Sequence, residues 1–130
     1  MTDTKGYIYF SITTEDESLS IKDFEKHISI QPTKFEKKFE RGHVPKSTSW
    51  IFSTTELVNP YCYEEIEKLL TTLEPHKEEF KELKRQFSEV SMFLTVVLFL
   101  GDETPGLHFS KRVLNFVNEL DAEIGCDIYN

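Results

Sequence analysis

The chain has 130 residues, 23 of them acidic against 15 basic, and a formal net charge of -8. That length predicts one domain over residues 1–130, able to bury roughly two-thirds of its unfolded surface without disulfides or metals. The charge argues against nucleic acid and anionic membrane as bulk ligands, because both reward a positive surface.

The opening MTDTKGY has no basic segment leading into an apolar run, and no stretch of about 18 apolar residues exists, so a cytoplasmic protein without membrane spans is expected. Cys62 and Cys126 are far apart and fit no CxxC pattern. They read as two reduced, partly buried thiols.

In chain order, Tyr7–Thr13 alternates, with Ile8, Phe10 and Ile12 on one face and Tyr7, Tyr9 and Ser11 on the other, as a strand does. After an acidic loop over 14–19, Ser20 is placed to cap a short helix that buries Ile21, Phe24 and Ile28. Gln31-Pro32 ends that helix, since a residue before proline avoids helical geometry. Residues 33–47 show no period and read as a long loop. Ser49–Thr54 is a second strand, with Trp50 and Phe52 sharing a face.

Asn59-Pro60 reads as a helix start, with asparagine capping and Glu64 and Glu65 at the positive dipole end. Ile66, Leu69, Leu70 and Leu73 then follow helical spacing. Pro75 interrupts this helix, and Phe80, Leu83 and Phe87 resume its apolar stripe on a segment whose charged run, Lys77–Arg85, is a solvated face. Glu89–Leu100 is the strongest β-type run, apolar on both faces: Met92, Leu94, Val96, Leu98 and Leu100 against Phe93, Thr95, Val97 and Phe99. Such a strand is central and covered on each side. A turn at Thr104-Pro105-Gly106, a helix capped by Ser110 that buries Val113, Leu114, Val117 and Leu120, and a short strand Cys126–Tyr129 complete the chain.

The order strand–helix–strand, helical insertion, strand–helix–strand predicts an α+β fold: a ferredoxin-like split βαβ with a four-stranded antiparallel or mixed sheet and an extra helical insertion between the second and third strands. The first and third strands are expected to be parallel neighbours at the sheet centre.

YIYFSIT at the start, IQPT, STSW, LEPHKEEFKELKRQF, ETPGLHFS and the terminal GCDIY, in this order over nearly the whole chain, resemble the bacterial family called domain of unknown function 4279. The resemblance implies a small stand-alone bacterial protein and carries no catalytic residues.

Four groups of residues bear on function. Glu15, Asp16 and Glu17 follow the first strand, and Asp102 and Glu103 follow the third. If those strands are parallel, five carboxylates meet at one sheet edge, as a docking patch for a protein or a site for a divalent ion. No EF-hand spacing is present, and solvated loop charge is the plain reading.

The segment Lys34–Lys46 interleaves Lys34, Lys37, Lys38, Arg41 and Lys46 with Phe35 and Phe39. It has no Walker-type glycine pattern and reads as a loop pinned by its phenylalanines and paired with the acidic remainder. The aromatic face, Tyr7, Tyr9, Phe93 and Phe99, needs a cover, which the helix Asn59–Leu73 or a second subunit would supply. It lacks the basic signature of an RNA-stacking sheet. His27, His43, His76 and His108 show no metal or nucleophile spacing. His108 is placed to join Asp102 and Glu103.

The residues therefore predict no catalytic group, no metal and no cofactor. They favour a non-catalytic protein-interaction domain with a basic partner, of the kind represented by immunity proteins, and a homodimer as a further arrangement. The alternative is a small-ligand or divalent-metal domain, with enzymatic chemistry at the acidic loops.

Overall fold

The structure, a computed structural model, describes residues 2–130. Its elements are β1 (Lys5–Thr14), α1 (Ile21–His27), β2 (Lys34–Glu36), β3 (Thr48–Ser53), β4 (Leu57–Val58), α2 (Cys62–Leu73), a 3₁₀ turn (Glu74–His76), α3 (Lys77–Gln86), β5 (Ser91–Phe99), α4 (Lys111–Glu119) and β6 (Glu123–Tyr129). The strands form one six-stranded mixed sheet in the order β2-β3-β1-β5-β6, with β4 pairing β1 beyond the end of β3.

The predicted four-stranded split βαβ is corrected in number and direction. In a split βαβ unit, two parallel strands flank a third. Here β1 and β3, on either side of α1, are antiparallel neighbours, and β5 and β6, on either side of α4, are parallel neighbours. The central pair is antiparallel from Lys5↔Phe99 to Thr13↔Ser91, not parallel. Alternation gives a strand its faces but says nothing of its direction, so the expected pairing had no support in the pattern itself.

All helices lie on one face. Ile8, Phe10 and Ile12 of β1, Trp50 of β3 and Met92, Leu94, Val96 and Leu98 of β5 join Phe24, Ile66, Leu69, Leu70, Leu73, Phe80, Leu83, Val113, Phe116 and Val117 in one contiguous cluster. Phe10 is its hinge: its ring stands 5.0 Å from Phe80 and 5.8 Å from Phe116, while Trp50 meets Phe80 edge-on at 5.8 Å. Each of the large side chains in this layer contributes about 1.5–3 kcal/mol by leaving water.

Local signals explain the helix ends. The Ser20 N–H donates to Asp23 Oδ2 at 2.7 Å, and Ser20 Oγ donates to the same oxygen at 3.1 Å. Those bonds hold the Asp23 carboxyl below the usual carboxylate range. Ser110 caps α4 by accepting from the Val113 N–H at 3.3 Å and donates to Glu67 Oε1 on α2 at 2.6 Å. Arg112 completes that bridge, reaching Glu67 Oε2 at 3.0 Å and Glu74 Oε1 at 2.5 Å. The interruption at Pro75 is the 3₁₀ turn, as its position implied.

Three details differ from expectation. Ile21 and Leu114 are exposed rather than buried, and Phe116 takes the core position on α4. Asn59 does not cap α2: it adopts φ 46° and binds the chain start instead, and Tyr61 occupies the cap position. Residues 33–47, expected to be a long loop, contain the edge strand β2, whose Phe35 packs against Phe24 at 5.5 Å.

Candidate functional site

The second face of the sheet carries no helix among the described residues. Because side chains alternate along a strand, the register places Tyr7 and Tyr9 of β1, Phe93, Thr95, Val97 and Phe99 of β5 and Glu123, Asp127 and Tyr129 of β6 together on it. The helix α2, expected as its cover, buries Ile66, Leu69, Leu70 and Leu73 in the core on the opposite face. Its apolar stripe fits either face equally well, and the core side claimed it.

The open face is graded. At its centre Ser11, Thr95 and Val97 are shielded by their neighbours, while Tyr7 (37%), Phe99 (47%) and Tyr129 (51%) are exposed. The rings pair along it: Tyr7 with Tyr9 at 6.0 Å, and Phe99 stacked on Tyr129 at 5.1 Å and 16°. Such pairs hold the rings in place. Toward β2 the surface turns polar, where a shallow depression of about 410 Å³ runs between Tyr9, Lys34, Glu36 and Ser53.

The acidic residues do not form one edge. Since β1 and β5 are antiparallel, Glu15, Asp16 and Glu17 leave one end of the sheet and Asp102 and Glu103 the other, separated by the length of the β1–β5 register, roughly 27 Å at about 3.4 Å per residue. At the first end, Glu15 and Glu89 line the same 440 Å³ depression as Phe93. Phe93 also borders a second depression with Glu123 and with Asp121, whose carboxylate is held by Lys84 at 3.2 Å. Acidic residues thus share both depressions with an aromatic residue of the open face, Lys84 joining them in the second. Asp16 is turned inward on its own loop, accepting from the Ser18 hydroxyl at 2.7 Å and the Ser18 N–H at 2.9 Å, bonds that hold its carboxyl below the usual range.

At the other end, Asp102 and Glu103 belong to a knot around Thr4, which is fully buried. Thr4 Oγ1 accepts from the Gly101 N–H at 2.8 Å and donates to the Glu103 carbonyl at 2.5 Å. The Thr4 N–H donates to Asn59 Oδ1 at 2.9 Å, and Asp102 Oδ2 accepts from the Thr2 N–H at 2.7 Å. These contacts join segments 55 to 100 residues apart, so no local pattern announces them. Thr4→Val keeps the shape and leaves the Gly101 N–H and Glu103 carbonyl without their partner. We expect a loss of about 1–3 kcal/mol in urea unfolding; a change below a few tenths would show that water replaces the hydroxyl at no cost.

Beside the knot lies a cleft of about 540 Å³ between residues 59–63 and 103–108. Its wall includes Tyr61, Tyr63 and His108, with the Tyr63 and His108 rings 5.1 Å apart, and Glu103 and Cys62 also line it. His108 lines this cleft together with Glu103, whereas Asp102, expected beside them, does not line it. Burial pushes the Cys62 thiol up, so it is a poor nucleophile at neutral pH. Cys126 is exposed and unpaired, and the two thiols form no disulfide. Among the described residues no cluster of three or more His, Cys, Asp or Glu is placed to hold a metal, and no helix is long and apolar enough to cross a membrane.

Four of the five cations of the basic segment, Lys34, Lys37, Lys38 and Arg41, are engaged within the molecule. Lys37 Nζ donates to the carbonyls of Glu17 and Leu19, and Lys38 Nζ to that of Glu15 at 2.8 Å. Arg41 pairs with Glu36 at 3.3 Å and with Glu40 at 2.9 Å. Only Phe35 pins this segment to the core. Phe39 is exposed beneath the Lys38 ammonium, 5.0 Å from its ring centre.

Fold and surface together define a two-layer α+β domain, helices on one side of a mixed sheet and aromatic rings uncovered on the other. The match to a family model described as Domain of unknown function (DUF4279) runs over residues 4–130, and the chain belongs to that family. No curated protein and no solved structure matches it.

Proposed function

We propose that this is a non-catalytic protein-interaction domain that binds a basic protein partner through the open face of its sheet. One observation carries the reading: Phe93, a ring of the uncovered face, shares its surroundings with the carboxylates Glu15, Glu89 and Glu123. Rings of this kind anchor an interface by excluding water, and the carboxylates around them select and steer a positive surface. The net charge of -8 extends that steering over the whole molecule. An immunity protein that neutralises a basic toxin has this physical design. Glu15 and Glu17 take part through the end of the face, whereas Asp102 and Glu103 serve the knot around Thr4 first.

The test is affinity capture from the cells that make the protein, with the intact chain and with a Phe93→Ser, Phe99→Ser variant as parallel baits. Both substitutions lie off the core, so the variant should fold. The expected result is a basic protein retained by the intact chain, lost by the variant, and released as salt rises. Equal retention by both baits would remove the open face from the interface.

A second reading is favoured by the 540 Å³ cleft, whose size suits a small ligand. A ligand seated there should raise the unfolding temperature of the intact chain and not that of a His108→Ala, Glu103→Gln variant.

A further inference from the structure

The sheet has two outer edges. On one side β2 is three residues long, too short to recruit another strand. On the other, β6 runs for seven residues, Glu123–Tyr129, pairs among the described residues only with β5, and is exposed from Cys126 onward. It contains no proline and no lysine, two of the residues that protect an edge, and its charges, Glu123 and Asp127, both stand on the open face. The Leu100 N–H donates to the Tyr129 carbonyl at 2.8 Å, so Tyr129 turns its backbone groups toward β5. Alternation then turns those of Ile128, Cys126 and Ile124 outward, away from the sheet.

We propose that β6 pairs antiparallel with β6 of a second copy of this chain, about a two-fold axis through Cys126, joining two sheets into one. This register is singled out by three features. It places Ile124 opposite Ile128 of the second copy and Cys126 opposite its own counterpart, so every outward N–H and C=O of these three residues finds a partner. Shifting the pairing by two residues in either direction leaves some of them unpaired. It sets isoleucine against isoleucine on the helix-bearing face. On the other face Glu123 meets Tyr129 and Asp127 meets Gly125, so neither carboxylate stands directly against its own copy. The two open faces then form one continuous surface, with the Phe99–Tyr129 stack of each copy at the join.

Light scattering across a concentration series tests it. The expected mass is twice 15.3 kDa, falling toward the single-chain value on dilution. Salt should strengthen this association, because both copies are acidic, whereas binding of a basic partner weakens with salt. Cys126→Pro removes an N–H that the alternation of β6 turns away from β5, and should weaken the dimer by roughly 100-fold while leaving the circular dichroism unchanged, and the melting temperature unchanged at concentrations where the intact chain is monomeric. If that variant fails to fold, Ile128→Glu, at a half-exposed position, decides the matter by opposing Ile124 with a charge.

A short bismaleimide should cross-link the intact chain through Cys126, which is exposed, and spare Cys62, which is buried. Cys126→Ser should abolish the cross-link. A single-chain mass at every concentration overturns the proposal. So does a dimer that both a folded Cys126→Pro and Ile128→Glu leave intact.

Discussion

Phe10→Ala should cost about 3–5 kcal/mol of folding stability. Phe10 is fully buried on the central strand and touches both halves of the helical layer, α3 through Phe80 and α4 through Phe116. Truncation removes the transfer free energy of the ring and leaves a space that the rigid sheet behind it cannot fill. Set against a total of about 5–15 kcal/mol for a domain, the variant is left close to unfolding. Urea titration should show a midpoint well below that of the intact chain, with the slope unchanged. Phe93→Ala, on the opposite face of β5, is the control and should cost about 1 kcal/mol or less, since its ring is only partly buried and lies outside the core. Comparable losses for the two would mean that the open face is packed against something in solution.

Gly6→Ala should also destabilise the protein, by about 3 kcal/mol. A Cβ at Gly6 would sit 2.1 Å from the Val97 carbonyl oxygen, which is backbone of the neighbouring strand and has no rotamer by which to move aside. Gly6 pairs with Leu98 of β5 on one side and Leu57 of β4 on the other, so parting the strands there disturbs three segments at once. Gly106→Ala, with nothing within 4 Å of its added carbon, should be neutral or slightly stabilising. Thermal unfolding of the pair measures both. A melting temperature for Gly6→Ala within a degree or two of the intact chain would contradict the close approach.

Elements with strong periodicity were legible from the residues alone. The strand Tyr7–Thr13, the run Glu89–Leu100, the stripe Ile66–Leu73 with its break at Pro75 and the Ser20 and Ser110 caps all declare themselves within a few residues. The strands β2 and β4, three and two residues long, have no period to read and exist because β3 and β1 offer them open edges. Of the site, the aromatic face was legible, since Tyr7, Tyr9, Phe93 and Phe99 follow from alternation. That α2 would leave it bare was not, because an apolar helix stripe does not name the surface it packs on. The acidic residues were legible as two loop clusters, but their division between two ends of the sheet follows from strand direction, which alternation does not carry. Thr4 and Gly101 gave no signal and Asn59 a misleading one, that of a helix cap, for their bonds close over 55 and 97 residues.

The placement of β1 has a consequence for how the chain acquires its fold. Its partners are made far apart in time: β3, completed at residue 53, and β5, which reaches its last register position only at residue 99. Pairing over such separations carries a large loop-closure entropy, and domains dominated by it fold slowly. During synthesis the β1–β3 pair can close early, but Ile8, Phe10 and Ile12 cannot be sealed in until β5 has left the ribosome. Over that interval the aliphatic side of β1 and the vacant edge beside it are open to any chain nearby. The last strand made, β6, then completes a sheet whose centre was the first strand made.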